Sequence, residues 1–146
     1  MAKGILIAAM DFSAAPEDEF HDWYDLEHIP ERLRVPGFLN ADRWIGITNP
    51  KISVATYDLD NVGVLKSPPY LSVGGENGSP WTKRTGRFRK SLMRYEGEQL
   101  FPGDRTAPSP RRSNNFLVCR SRVNRGARSC GTIARVSTQS RRRQLP

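Results

Sequence analysis

Phe38-Leu-Asn-Ala-Asp-Arg-Trp-Ile-Gly-Ile-Thr48 runs into Asn49-Pro50 and out again through Lys51-Ile-Ser-Val-Ala-Thr-Tyr-Asp-Leu59. Both flanks carry β-branched and aromatic residues, and Asn-Pro is a turn signal, so the stretch predicts a β-hairpin. In its second strand Ile52 and Val54 take one face while Ala55, Tyr57 and Leu59 take the other. A strand with apolar residues on both sides belongs to a sheet that is covered on both sides.

Upstream, residues 3–10 read as a second strand of this kind, with Ile5 and Ile7 alternating against Leu6 and Met10. Pro16 then opens a helix. Proline suits a first helical turn, and Glu17, Asp18 and Glu19 favour the positive end of the helix dipole. Phe20, Trp23, Tyr24 and Glu27 fall at i, i+3, i+4 and i+7, so the three aromatics share one face of a helix expected to reach about His28. Ile29-Pro30 is expected to interrupt it, because proline lacks an N–H and pushes its predecessor out of the α region. A short second turn around Glu31–Arg34 and a Val35-Pro36-Gly37 break then lead into the hairpin.

Downstream, residues 61–75 read as one or two short helical turns, broken at Pro68-Pro69 and closed by Gly74-Gly75, with a loop reaching Trp81. Phe88–Tyr95 reads as the last strand, stopped by Gly97 and Pro102-Gly103. The order is strand, helix, strand, strand, helix, strand. That is the α+β, ferredoxin-like βαββαβ unit, with helices on one face of an antiparallel sheet. The other apolar face needs a cover. A second copy is the expected one: two sheets packed face to face as a homodimer, a dimeric α+β barrel able to hold a small ligand between sheet and helices.

His21-Asp-Trp-Tyr-Asp-Leu-Glu-His28-Ile-Pro-Glu-Arg-Leu-Arg-Val-Pro-Gly-Phe38 resembles the W-Y-x-x-E-H-x-P-E-R-x-x-x-P-G-F signature of EthD-like proteins, which belong to the dimeric α+β barrel superfamily. Ser79-Pro-Trp-Thr82 and Arg94-Tyr95 are similar to that group as well, and the resemblance covers residues 1–103. It implies a ferredoxin-like unit that pairs into a barrel, either by dimerisation or through a second repeat in one chain. In this chain the segment after residue 104 stands where such a repeat would begin, which leaves an intermolecular pair to cover the sheet. The function implied is a loose one. EthD is associated with ethyl tert-butyl ether degradation as an accessory protein, and other barrels of this kind are polyketide cyclases, monooxygenases, isomerases or haem enzymes. A shared fold does not choose among them.

The net charge of +8 is unevenly placed. Residues 1–104 hold all 15 acids and 12 of the 23 bases, whereas residues 105–146 hold 11 arginines and no acid or lysine. A segment so poor in apolar surface does not offset the entropy of ordering it, so residues 104–146 are expected to form a disordered Arg-rich tail behind a domain of residues 1–103. The abrupt composition change fits a frame-altered end better than a selected arm. As an arm, the arginines would bind nucleic acid non-specifically through its phosphates, without the interleaved aromatics of single-strand binders. The strand 51–59 also lacks the aromatic pattern of RNA-recognition domains. Cys119 and Cys130 form no Cys-x-x-Cys pair, so no zinc site is expected. Gly4–Met10 is too short to span a bilayer and has no cleavage site after it, which places the expected location in the cytoplasm with no membrane partner.

Chemistry centres on the aromatic helix. His28 is the candidate general base, expected to titrate near physiological pH, and its structural alternative is a helix C-terminal charge–dipole contact. Tyr24, four residues earlier on the same face, is the candidate donor to a carbonyl or enolate oxygen; its alternative is packing. Trp81, Arg43 and Tyr57 are the candidate ligand contacts, Arg43 as an anchor for an acidic group or else an ion pair within the sheet. Trp44 is read as core and His21 as solvent-facing. His21 and His28 stand two turns apart, about 10 Å by helical rise, too far to share a metal. No glycine-rich phosphate loop, G-x-S-x-G elbow, H-E-x-x-H or C-x-x-C-H motif occurs, so no cofactor is expected. The reading is a protein that binds a small apolar or aromatic ligand: an accessory protein or a cofactor-free enzyme acting on a small aromatic or polyketide-like carbonyl compound.

Overall fold

The computed structural model describes residues 3–99 and the backbone of two further strands, 115–119 and 130–135. The hairpin is present as β2 (Phe38–Gly46) and β3 (Ile52–Leu59), and β1 (Gly4–Asp11) and β4 (Lys90–Glu98) complete the unit. β1 pairs antiparallel with β3 on one side and β4 on the other, and β2 pairs antiparallel with β3, giving the order β4-β1-β3-β2. This is the ferredoxin-like α+β topology.

Register fixes which side chains meet. Leu6 faces Tyr57, Ala8 faces Ala55, and Arg43 faces Ala55 from the other neighbour. These positions look toward the helices and join a core of Leu6, Met10, Phe12, Phe20, Trp23, Tyr24, Phe38, Tyr57 and Leu59. Phe12 and Phe20 stack at 4.1 Å with their rings nearly parallel. Each of these fully buried aromatic or aliphatic side chains contributes about 1.5–3 kcal/mol by leaving water. On the opposite face Ala9, Trp44 and Val54 form a second apolar cluster with Ile7, Ile52, Leu92 and Met93 around them. No residue of the described helices belongs to that cluster.

The first crossover is one helical rod made of three pieces: α1 (Glu17–Asp22), a π-helical turn over Trp23–His28, and α2 (Ile29–Leu33). Pro30 therefore does not interrupt the helix, contrary to the sequence expectation. Within the widened turn the Ile29 N–H bonds to the Tyr24 carbonyl, five residues back. Proline has no N–H to contribute and its ring crowds the carbonyl four residues earlier; a turn that has already opened to five-residue bonding relieves both problems.

The second crossover contains 3-10 turns at Val62–Lys66 and Gly75–Asn77, with α3 (Pro68–Ser72) between them and α4 (Pro80–Gly86) after them. Pro68 starts a helix rather than breaking one, and α4 occupies residues expected to be loop and connector. Both helices begin alike. Ser67 and Ser79 accept hydrogen bonds from the N–H groups of Tyr70 and Thr82, and a proline stands at the first helical position. Ser-Pro is thus a cap followed by a residue whose missing N–H is not needed there.

Beyond the unit, β5 (Asn115–Cys119) and β6 (Cys130–Arg135) pair with each other, and β6 adds to β2 through Trp44–Gly46. At those positions the expected disordered tail gives way to strand, on the two runs richest in β-formers, Phe116-Leu-Val118 and Thr132-Ile133. The rest of that expectation lies outside the described residues. Among the described residues no helix is long and apolar enough to cross a membrane.

Candidate functional site

The π turn decides what the first crossover presents to the sheet. Bonding across five residues widens the turn, so Trp23 and His28 come to lie over one another with ring centroids 4.5 Å apart, and Tyr24 meets His28 edge-on at 5.1 Å. Trp23 and Tyr24 are fully buried and His28 is 7% exposed. From the sheet, Tyr57 on β3 and Arg43 on β2 rise beneath this face. The Arg43 guanidinium lies 5.1 Å from the centre of the Tyr24 ring. Tyr24, His28, Arg43 and Tyr57 thus come together. Trp81, on α4, packs against the same apolar core.

These five residues share a property. Each has a buried nitrogen or oxygen that meets no hydrogen-bond partner in good geometry among the described residues: Tyr24 and Tyr57 at the hydroxyl, His28 at Nδ1, Arg43 at Nε and Nη1, and Trp81 at Nε1. Such groups are scarce in folded proteins because each costs its desolvation without return. The Tyr24 and Tyr57 hydroxyls lie close enough to interact with each other, and among the described residues neither has another partner.

Burial sets the charge states. It pushes the Tyr24 phenol up and the Tyr57 phenol well up, so both are protonated. Burial, with Arg32 and Arg89 adding to it, holds His28 well below its ordinary 6.5. His28 therefore does not titrate near physiological pH as expected. It is a neutral imidazole in mid-helix, and the charge–dipole alternative falls with that. Burial also lowers Arg43, which Asp25 opposes from 3.4 Å.

His21 is the second correction, since it is half-buried against the cluster rather than turned to solvent. Arg43 Nη2 donates to His21 Nδ1 at 2.8 Å. A guanidinium has no lone pair to offer, so Nδ1 accepts and the ring proton sits on Nε2, 3.6 Å from Glu17. Trp44 is core, as read, in the second cluster, and its Nε1 donates to Thr56 Oγ1 at 3.2 Å.

Sequence reasoning missed the groups that brace the site. Trp23 Nε1 donates to Thr82 Oγ1 at 3.0 Å, the Thr82 hydroxyl donates to Glu27 at 3.1 Å, and Ser79, the cap of α4, donates to the same carboxylate oxygen. This chain locks the π turn to α4. Its only trace in the sequence is that Glu27 shares a motif with Trp23, and Ser79 and Thr82 share another. Arg89 was missed too, and lies with its guanidinium 5.1 Å from the centre of the Trp23 ring. Among the described residues no group of three or more His, Cys, Asp or Glu side chains is arranged to hold a metal.

No protein-family model and no curated protein matches this chain. Among solved structures, one from Bordetella bronchiseptica named for the antibiotic biosynthesis monooxygenases is similar, at 14% identity and a TM-score of 0.47, over 69% of this chain and 100% of that one. The likeness is one of backbone course and assigns no residue or activity here.

Proposed function

We propose that residues 1–103 form an EthD-like, dimeric α+β barrel domain that binds a small aromatic or polyketide-like carbonyl compound between the π turn and the sheet. The observation that carries the reading is the set of polar atoms on His28, Tyr24, Tyr57, Arg43 and Trp81 that lack partners among the described residues, on four elements where the helices meet the sheet. A ligand with oxygen atoms supplies the partners this layer lacks. Neutral His28 is in the right state to accept a proton, and a protonated Tyr24 can donate to the oxygen on which negative charge then develops. In that reaction an acidic C–H beside the ligand's carbonyl passes its proton to His28 Nδ1, the C–H electron pair becomes the C=C of an enolate, and the carbonyl π pair moves onto the oxygen. An accessory protein would use the same groups to bind without turnover.

The homodimer is the second part of the proposal, supported by the exposed Tyr95 and the partly exposed Ile7, Ile52, Leu92 and Met93 around the buried Val54, on the face against which no described helix packs. The nucleic-acid alternative draws no support from β3, whose Tyr57 points into the helical layer. Native mass spectrometry of the full chain tests both parts. A dimer that retains a small molecule, lost in His28→Ala or Tyr57→Phe, is the expected result. A monomer overturns the barrel, and a ligand retained equally by both variants overturns the site.

A further inference from the structure

The charges around the two phenols do not balance. Three arginines bear on Tyr24: Arg89, Arg43 and Arg32. Arg43 has Asp25 at 3.4 Å. Arg32 has Glu31 at 4.0 Å and donates to the Val73 carbonyl at 3.0 Å. Arg89 has neither kind of partner. Among the described residues no carboxylate lies within ion-pair distance of it, its Nε is buried without an acceptor, and its Nη1 reaches only the Met10 sulfur, at 3.1 Å. Thioether sulfur is a weak acceptor, and the guanidinium also lies over the face of Trp23.

A half-buried guanidinium whose Nε is buried without an acceptor is costly to leave without a counter-ion, and an anion brought to it offsets that cost. The groups around it are suited to the same task. Tyr24 and Tyr57 are protonated phenols whose hydroxyls have, among the described residues, no partner but each other, one fully buried and the other 2% exposed, and His28 is uncharged. Two hydrogen-bond donors and one unpaired cation suit an oxyanion; a neutral carbonyl would leave the cation unanswered.

We propose that the ligand of this site is an organic anion and that Arg89 binds its carboxylate, with the Tyr24 and Tyr57 hydroxyls donating to the same ligand. This rests on the small-molecule reading above and narrows it to aromatic or polyketide-like acids. It also moves the anchoring role expected of Arg43, whose charge Asp25 already meets, to Arg89.

Isothermal titration calorimetry of the full chain with 2-naphthoate and with 2-naphthamide, its neutral counterpart of the same shape, tests the proposal. The wild type is expected to bind the acid at least about tenfold more tightly than the amide. Arg89→Met is expected to abolish that preference while both probes still bind. The Arg89 dependence separates this site from the arginines of residues 105–146, which attract any anion. If Arg89→Met shows no cooperative melt, Arg89→Gln, which keeps a polar planar group over Trp23, is read in its place. Equal affinity of the wild type for the two probes overturns the proposal and leaves the small-molecule reading standing, as does an acid preference that survives in the variant. Failure of both probes to bind the wild type overturns the two together.

Discussion

The imidazole of His28 lies 4.5 Å from the indole of Trp23, centroid to centroid, although the two residues stand five apart in a helix. Five-residue spacing puts side chains on one face only where the helix opens to five-residue hydrogen bonding, and it does so over Trp23–His28. The contact explains why this histidine is dry and neutral. It also makes the π turn, rather than either flanking α segment, the element that builds the site.

A pH dependence of stability follows from that burial. His28 is held well below the 6.5 of an unfolded histidine, and His21 is lowered too, again chiefly by burial. Between the folded and unfolded values the unfolded chain binds more protons, so the stabilisation is complete above about pH 6.5 and is lost as pH falls below it. Each such histidine steepens the loss by up to about 1.4 kcal/mol per pH unit. Urea midpoints measured from pH 7.5 to 5 are expected to fall more steeply for the wild type than for His28→Gln. Parallel curves would show that His28 protonates without cost.

The chain from Trp23 through Thr82 to Glu27 is a structural bolt with a measurable strength. Thr82→Val keeps the shape of the side chain but removes both the acceptor for Trp23 Nε1 and a donor to Glu27. A buried indole N–H left unpaired costs about 1–3 kcal/mol, and the urea midpoint should drop accordingly with an unchanged slope. Ser79→Ala removes the cap of α4 as well as its bond to Glu27, at a cost of about 1 kcal/mol.

Much of this architecture is legible in the residues, and what is not has a physical cause. The hairpin, β1 and the aromatic face of Phe20, Trp23 and Tyr24 follow from periodicity, because burial on one or two faces leaves a repeating signal. The π turn leaves none: its residues have ordinary helical spacing, and Pro30 reads as a stop unless the turn before it is known to be wide. Likewise Ser67-Pro68 and Ser79-Pro80 look like punctuation although each is a helix start. His28, Tyr24, Tyr57, Arg43 and Trp81 can be named as chemically able residues from type and position alone. Arg89 cannot, since its distinguishing feature is that no carboxylate among the described residues pairs with it in space.

Gly37 closes the motif for a steric reason, and replacing it tests whether the motif is a folding signal. Its φ of +95° is a conformation that side chains with a Cβ rarely adopt, and a Cβ there would run into Val64 of the second crossover. Its carbonyl also accepts from the Asp60 N–H at 2.8 Å, which pins the end of the hairpin. Gly37→Ala is expected to cost about 2 kcal/mol or more. Adding Val64→Ala should recover the part owed to collision and none of the part owed to the backbone. A double variant with full wild-type stability would mean the positive φ carries no strain.

The apolar face around Val54 makes a prediction about assembly that leaves the helical core untouched. Tyr95 is 52% exposed and stands opposite Ile7 in the β1–β4 ladder, on the same side of the sheet as Ala9 and Val54. An exposed aromatic beside an apolar cluster is the sort of residue that anchors an interface, and a charge in its place must be desolvated twice in a two-fold symmetric pair. Tyr95→Arg is therefore expected to weaken self-association by about a hundredfold, some 2.7 kcal/mol, while shifting the thermal midpoint little once protein concentration is low enough for the wild type to be monomeric. Sedimentation equilibrium across a hundredfold concentration range measures the first quantity and melts at its dilute end measure the second. An unchanged association constant would place the contact between copies on some other face.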